Sequence, residues 1–451
     1  MPLRIPNEVL VEIFHAVPFT LEDRSREEYA ICLSQVSRLW REIALGTRSL
    51  WTTIHVDYLS IGDGQLSYLD LFLSRSREFP LDILIHLVRH SDDEYWEEFL
   101  PQMRKIICLI SRWQSLHLFY NIEGDIHAAL HPLGVVAAPV LEVFKVKYVL
   151  SSNELDDDYV PLILFGGGAP RLAHINIEIP ITACQPPLSS LISLHLRNYH
   201  NPYDIDQYRS ILTASNHLTD LRLLGTIADA EELYMTAVSK TYLIEIPSLR
   251  TLTVAPSWSE RSLSLYSVLA SLHTPALESL AVQCCMTIDH ISEFQNVFRN
   301  FEPPRYPQLR SLTLKWANLS HPGPFWFPAA LPSITYLSLL SCKSPGRLLN
   351  SLIPFEGHPI AAEIDAPCNL MRANYASDVA DFPSLRDIYI RSMNSEDLAA
   401  LCHLISNRIS RNTPIVSVQF PPTTISKIPQ DQLEWLRERV RVEVFEADFV
   451  V

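Results

Sequence analysis

The sequence predicts an α/β protein: a small helical unit at the N-terminus, then an irregular solenoid that is shaped like a horseshoe, with parallel strands inside and helices outside. Two observations support this fold class. A six-residue pattern, LxxLxL with any apolar residue at the three fixed positions, recurs at a mean interval of about 27 residues from Trp113 onward. The first 51 residues have apolar residues at helical spacing instead, around Trp40 and Trp51.

The recurring pattern predicts one short strand per repeat. Alternation within LxL buries one face of a strand, while the apolar residue three positions earlier faces the interior of the coil. The mean interval lies within the 20–29 residues of leucine-rich repeats, whose stacked units share one continuous core. A further segment at Ala361–Ala366 divides the longest interval, and the matches there and at the first three starts are the weakest. The segments begin at Trp113, Leu141, Leu172, Leu191, Leu218, Leu249, Leu277, Leu309, Ile334, Leu385 and Ile415.

Helical apolar spacing between the strands predicts the outer layer of the solenoid. Two segments have it most clearly: Ile291, Phe294, Val297 and Phe301 in one, and Leu398, Leu401, Ile405 and Ile409 in the other. Cys285 and Cys342 occupy the position where the repeat family places Asn or Cys, whose side chain serves backbone groups in the turn. Most other repeats lack that residue, so the array is of the irregular kind.

Residues 52–112 are predicted to form two divergent first repeats and an N-terminal cap, with the solenoid and its C-terminal cap over residues 113–451. The segments Trp51–Val56 and Pro80–Leu87 resemble strands, and an amphipathic helical pattern follows each of them. We find no linker rich in glycine, serine or proline between these parts.

Composition excludes several classes of function. There are 36 Lys and Arg against 51 Asp and Glu, and no basic run that would follow a phosphate backbone, so we expect no nucleic-acid partner. We find neither a secretory leader nor a long apolar stretch, which predicts no membrane partner and a cytoplasmic or nuclear location. The eight cysteines lack zinc-site spacing and nucleotide-binding and hydrolase motifs are absent, so we expect no metal, no cofactor and no catalysis.

Residues 3–51 have the spacing of a helical module. Val9, Leu10, Ile13 and Phe14 lie on one face of a helix that begins after Pro6, with Glu8 near the positive end of its dipole. A second helix is expected over residues 33–46, with Leu33, Val36, Trp40 and Ile43 on one side and Gly46 at its end. The polar segment Pro18–Ala30 between them is expected to loop out. Such a module cannot enclose both of its faces, so another part of the chain or another protein must cover some apolar surface.

At these residues the sequence closely resembles the F-box. The opening of that motif is matched at Ile5, Pro6, Glu8, Leu10, Ile13 and Phe14, and its second half at Val36, Ser37, Arg38, Trp40, Arg41, Ile43, Leu50 and Trp51. An F-box followed by leucine-rich repeats resembles the substrate receptors of SCF-type (cullin-RING) ubiquitin ligases, of a sort found in fungi. The resemblance implies that the following residues help dock a Skp-type adaptor, and through it the cullin and RING subunits: Pro6, Leu10, Ile13, Phe14, Val36 and Trp40.

Each of these positions can also be explained as core of the module. We expect core positions at Val9 and Ile43, contact with the adaptor at Pro6, Leu10 and Phe14, and both roles at Trp40. The same two explanations apply to Ile13, Val36 and Leu39.

Side chains that alternate with the buried leucines must point to the inner, concave face of the array, where a target protein would bind. The central row of that face is predicted to contain His117, Lys145, Asn176, His195, Arg222, Thr253, Ala281, Thr313, Ser338, Asp365, Tyr389 and Gln419. A solvated strand face is polar whether or not it binds anything. Arg and Tyr contribute disproportionately to binding, so the preferred target-binding candidates are Arg222, Tyr336, Tyr389 and Arg391.

Overall fold

We describe a computed structural model of the chain. It describes residues 5–16, 25–57, 63–87, 103–120, 130–148, 162–178, 184–198, 203–229, 233, 243–255, 264–283, 285, 291, 294, 297, 306–320, 325, 327–353 and 382–445.

The chain forms two compact units. Unit 1 comprises Met1–Asn201 and Ala214–His217, and unit 2 comprises Pro202–Thr213 and Leu218–Val451. The predicted domain boundaries at residues 51 and 112 both fall within unit 1. The N-terminal helices and the first six strands therefore belong to the same unit.

The N-terminal module of unit 1 contains three helices, α1 (Asn7–His15), α2 (Ser25–Val36) and α3 (Arg38–Gly46), followed by a 3-10 turn at Arg48–Trp51. The expectation of one helix over residues 33–46 is wrong, because the backbone is extended at Ser37, with φ −158° and ψ 169°. The Ser37 side chain accepts a hydrogen bond from the Trp40 backbone N–H at 3.2 Å and so caps α3. Residues 25–30 are helical rather than looped out, since α2 begins at Ser25.

Unit 1 continues with a parallel sheet in which each strand pairs with the next one along the chain. Helix α4 (Asp63–Ser76) connects the first two strands, as its amphipathic pattern predicts. A two-residue strand pair, Leu162–Ile163 with Cys184–Gln185, lies outside the main sheet. The strands are β1 (Thr53–Asp57), β2 (Leu81–Leu87), β3 (Trp113–Tyr120), β4 (Val143–Tyr148), β5 (His174–Ile177) and β6 (Ser193–Asn198).

Unit 2 has the same organisation, with eight parallel strands that pair in chain order. These strands are β7 (Asp220–Gly225), β8 (Thr251–Ala255), β9 (Ser279–Gln283), β10 (Ser311–Lys315), β11 (Tyr336–Leu340), β12 (Asp387–Ile390), β13 (Ser417–Phe420) and β14 (Arg441–Val444). A short pair, Ile244–Glu245 with Leu272–His273, accompanies them. The helices are α5 (Ile205–Thr213), α6 (Ser264–Ser271), α7 (Phe327–Ala330), α8 (Pro345–Ser351), α9 (Ser395–Ser410), α10 (Pro422–Ile425) and α11 (Gln430–Arg437).

All eleven LxxLxL segments from Trp113 to Ile415 contain a strand of the main sheets, including the three whose match is weakest. The residue at the first fixed position is at most 2% exposed in every one of them. Within each unit, the strands are in register, so buried positions such as Leu280, Leu312 and Leu337 align across neighbouring strands. The repeated apolar residues thus form a continuous core in each unit. The segment Ala361–Ala366 lies outside the described residues.

The predicted outer helices are present where the structure describes them. Helix α9 covers the predicted segment, with Leu398, Leu401 and Ile405 buried and Ile409 exposed at its last turn. Asn394 and Asp397 form a reciprocal capping box at its start, each side chain accepting from the backbone N–H of the other residue. In the other segment Ile291, Phe294 and Val297 are helical and buried, and Phe301 lies outside the described residues.

The two cysteines at the family's Asn/Cys position contact backbone carbonyls of strand residues, rather than of the turns. The Cys342 thiol donates to the Leu314 carbonyl at 3.2 Å, and burial raises its pKa to about 12. Cys285 makes a longer contact, 3.9 Å, with the Gln283 carbonyl. Both cysteines are buried, in agreement with a structural role.

Candidate interaction surfaces

Helix α1 divides its apolar residues between two faces. Ile5, Val9 and Ile13 are exposed by 49%, 45% and 44%. Val9 and Ile13 are spaced four residues apart, so they lie on one side of the helix, whereas Ile5 precedes its first residue. Leu10 and Phe14 each lie one residue further along the helix, and they are buried. The module therefore closes a core of its own and still leaves an apolar stripe on its surface.

A second exposed apolar group lies where α2 ends and α3 begins. The break at Ser37 turns Val36 and Leu39 outward, and they are 60% and 46% exposed. The Phe14 and Trp40 rings pack with centroids 5.0 Å apart, which joins the end of α1 to the start of α3. Ile13 and Leu39 are the sequence neighbours of these two rings, so the exposed residues lie on helices that the ring pair joins. We call the five exposed side chains the apolar face, and its members are Ile5, Val9, Ile13, Val36 and Leu39.

The structure changes the assignment of several predicted adaptor contacts. Pro6, Ile13 and Val36 are exposed, and Trp40 is half-buried, consistent with a role in both core and surface. Leu10 and Phe14 are buried, so the expectation that they lie at the surface is corrected: both fill the core among the helices.

The expected core positions are only partly confirmed. Ile43 is core as expected, whereas Val9 is exposed. The core assignment of Val9 is therefore wrong, and Leu39, for which both explanations were open, is exposed, because the bend at Ser37 sets which sides of the helices face each other.

Trp51 fixes the module to the first repeat. Its side chain is fully buried, and its indole N–H donates to the Ala44 carbonyl at 2.8 Å. Its ring packs edge-on against Phe72 of α4 at 5.0 Å, and the Arg75 guanidinium lies 4.0 Å from the ring centroid. The side of the module that adjoins the sheet is therefore covered by the chain itself, which distinguishes it from the apolar face.

Strand register aligns the predicted polar row within each unit. In unit 1, His117 pairs with Lys145 of the next strand, and the row continues through Asn176 to His195. In unit 2, the row runs from Arg222 and Thr253 to Tyr389 and Gln419. The predicted alignment is confirmed for these strands, and Asp365 lies outside the described residues.

Three of the four target-binding candidates are accessible. The Arg222 side chain is 40% exposed and forms an ion pair with Asp220 at 3.8 Å. Tyr336 is half-buried and its hydroxyl donates to the Gln419 side-chain oxygen at 3.4 Å. Burial, with further contributions from Tyr389 and Asp387, raises the pKa of Tyr336 to about 12, so the phenol remains neutral. Arg391 is exposed at the end of β12.

Tyr389 is a correction, because only 1% of it is exposed. The Phe445 ring packs edge-on against it with centroids 6.1 Å apart, reaching across from the end of β14. Phe445 thus covers Tyr389, an aromatic residue on the polar row. Sequence reasoning missed this contact because β14 has no LxxLxL pattern.

On the strands between those of Arg222 and Tyr336, several residues of the polar face of unit 2 have short side chains. Thr251, Ser279 and Ser311 lie in one register line and are partly exposed, as are Ala281 and Thr313 in the next. These residues carry no charge and little bulk. They lie between the strand of Arg222 and the strand of Tyr336.

His117 differs from the other residues of the polar row of unit 1 because it is buried. It is fully buried, and neither ring nitrogen has a hydrogen-bond partner among the described residues. Burial, with further contributions from the nearby Lys145 and His55, lowers its pKa to about 4. The imidazole is therefore neutral at physiological pH.

The described residues contain no group of three or more His, Cys, Asp or Glu side chains placed to hold a metal ion. Within the same residues, no helix has the length and apolar character needed to cross a membrane.

Comparison with known proteins identifies the front of the chain. Residues 3–57 match the F-box-like family model. No curated protein matches the sequence. A crystal structure of a protein from Bacteroides fragilis aligns with 86% of this chain and 83% of that chain, at 10% sequence identity and a TM-score of 0.32, a likeness too low to support an argument. The chain thus combines a helical N-terminus that carries an F-box-like domain with a long array of parallel strands and helices.

Proposed function

We propose that this protein is a substrate receptor of an SCF-type ubiquitin ligase. The apolar face of the N-terminal module binds a Skp-type adaptor, which connects the chain to the cullin and RING subunits. The observation that carries this proposal is the exposure of five apolar side chains on a module whose core and sheet-facing side are already closed. Exposed apolar groups of this kind, rimmed by polar residues, mark protein interfaces. Glu8, Glu12 and Arg41 are exposed on the same helices and supply such a rim.

The target protein binds to the polar face of the sheets in this proposal. Arg222, Tyr336 and Arg391 combine the residue types that dominate interface energies with accessible positions. The short side chains between Arg222 and Tyr336 allow a partner's backbone to approach the strands. The receptor itself is not catalytic: ubiquitin transfer is performed by the other subunits, in the cytoplasm or the nucleus.

A second candidate is a scaffold that binds a Skp-type protein through the same face without recruiting a ligase. The F-box-like domain supports both functions equally, because neither a cullin nor a target contact is encoded in the apolar face. The presence of a cullin in the purified complex separates the two.

The test compares affinity purifications of the full-length wild-type chain and the double variant Val9→Asp plus Ile13→Asp. Two carboxylates on the apolar face should abolish recovery of Skp, cullin and RING subunits, since a buried interface cannot accommodate unpaired charges. The matched control is Val135→Asp plus Ile163→Asp, which changes the same residue types at exposed positions of unit 1. Circular dichroism of both variants verifies that they are folded.

The receptor function is supported if the wild type and the control recover Skp and cullin and the test variant does not. Recovery of Skp without cullin favours the scaffold. Equal recovery by all three chains contradicts binding through the apolar face. Target binding is then measured by mass spectrometry of proteins retained on the test variant, which keeps its sheets but cannot deliver targets for degradation. Loss of those proteins on Arg222→Ala plus Tyr336→Ala identifies the polar face as their site.

A further inference from the structure

Strand β14 ends the sheet of unit 2, and among the described residues no strand lies on its outer side. Its inner side pairs in parallel with β13. The backbone N–H groups of Arg441 and Phe445 donate to carbonyls of Val416 and Phe420 in that direction. Because backbone groups alternate along a strand, the N–H and C=O groups of Val442 and Val444 point outward. An exposed strand edge of this kind is a template for a further strand.

The side chains of β14 define what that further strand can be. Arg441 and Glu443 lie on one face of the strand and form an ion pair at 2.7 Å, with their side chains 66% and 35% exposed. Gln419 donates to the second carboxylate oxygen of Glu443 at 2.9 Å and so orients it. Val444, on the opposite face, is 60% exposed. The edge thus presents one cation, one anion and an apolar side chain within four residues.

This arrangement is complementary to itself. When two copies of β14 pair antiparallel about Val442, the outward N–H and C=O groups of the two Val442 residues can exchange hydrogen bonds. Arg441 then lies directly opposite Glu443 of the partner subunit, and the reverse pair forms by symmetry. Opposite charges at directly facing positions stabilise an antiparallel pair, whereas like charges destabilise it.

The neighbouring registers lack this complementarity. Pairing about Arg441 places two guanidinium groups opposite each other, and pairing about Glu443 places two carboxylates together. Pairing about Val444 leaves both Arg441 side chains without an opposing carboxylate from β14. The charge pattern therefore selects one register out of four.

We propose that the chain forms a homodimer through antiparallel pairing of β14 with β14 of a second copy, centred on Val442. The contact is isologous, as expected of a two-fold dimer. A four-residue edge buries little area compared with a standard interface, so the dimer is weak and dependent on concentration. The proposal does not depend on the adaptor or the target, since no residue of β14 belongs to the apolar face or to the residues proposed to bind a target.

The test is a charge exchange measured by sedimentation velocity on the full chain over a wide range of concentrations. Arg441→Glu alone and Glu443→Arg alone should each weaken dimerisation at least tenfold, because like charges then face each other in both of the symmetry-related pairs. An equimolar mixture of the two single variants should recover the dimer, since each negative edge meets a positive one. The double variant Arg441→Glu plus Glu443→Arg should dimerise by itself.

Recovery in the mixture cannot arise from improved folding of either chain, since each variant keeps its own unfavourable pair. Circular dichroism of the single variants verifies that both sheets are intact. A wild-type chain that stays monomeric up to its solubility limit overturns the proposal. A dimer that neither single variant weakens, or that the mixture fails to recover, overturns it equally, because such a dimer does not use this edge.

Discussion

The N-terminal module and the sheets differ in how far their apolar residues are buried. In the strands, apolar residues at the fixed positions are buried and polar ones occupy the open face. In the module, five apolar side chains remain in solvent although a complete core exists beneath them. The sheets thus cover their own apolar surface through repetition, whereas the helices leave part of theirs exposed. Four substitutions test this difference.

Leu312→Ala tests how much a buried leucine of the strands contributes to stability. Leu312 is fully buried and aligns with Leu280 and Leu337 of the adjacent strands. The lost contacts and the cavity should lower the free energy of unfolding by about 3 kcal/mol. Denaturant titration measures this change. Val9→Ala on the apolar face is the control and should change the stability by less than about 0.5 kcal/mol. Equal effects at the two positions would remove the contrast.

The second prediction concerns the effect of buried His117 on the pH dependence of stability. Its pKa is about 4 in the folded chain against 6.5 for an ordinary histidine, so the unfolded chain binds the proton more strongly. Its contribution is fully present above pH 6.5 and is lost as the pH falls toward 4. The loss amounts to roughly 3 kcal/mol at most. Unfolding titrations of the wild type and His117→Leu between pH 7 and 4 should diverge, with the variant less sensitive. Parallel curves would contradict this prediction.

Trp51→Phe tests the attachment of the module to the first repeat. Phenylalanine keeps ring packing near Phe72 but cannot donate to the Ala44 carbonyl. We expect a loss of about 1.5 kcal/mol from the missing hydrogen bond and the smaller ring. Thermal unfolding followed by tryptophan fluorescence measures it. An unchanged midpoint would show that the indole N–H does not contribute to the attachment.

Ser37→Ala tests the bend that turns Val36 and Leu39 outward. The variant removes the side-chain cap of α3, which should cost about 1 kcal/mol. Ser37→Asp retains a capping acceptor and is the matched control. If the bend positions the apolar face, affinity for the Skp-type adaptor, measured by calorimetry, should fall for the alanine variant and recover in the aspartate variant.

Much of the architecture could be predicted from local pattern. The eleven strands were predictable because each repeat buries the same three positions against its neighbours. The front helix was predictable from Pro6 and Glu8 at its start. The strand β14 was missed, since Arg441–Val444 has only two apolar residues and no buried residue three positions before them in the LxxLxL spacing. The break at Ser37 was missed because the apolar spacing on either side of it continues as if the helix were whole.

The candidate surfaces were predictable only in part. The sequence indicates which residues alternate toward the open face of a strand, and the register confirmed the row from Arg222 to Gln419. It does not indicate that Phe445 covers Tyr389, because these residues are 56 positions apart in the sequence and meet only through the pairing of three strands.

By itself, the sequence determined the repeat period, the strands it produces and the similarity of residues 3–57 to the F-box-like family. These properties are local, since each depends on spacing within a few residues or on one recurring unit. Only the tertiary structure decided which apolar side chains of the module stay exposed and which tyrosine of the polar row is covered. Exposure depends on what packs against a residue from elsewhere in the chain, and a single helix or strand pattern does not contain that information.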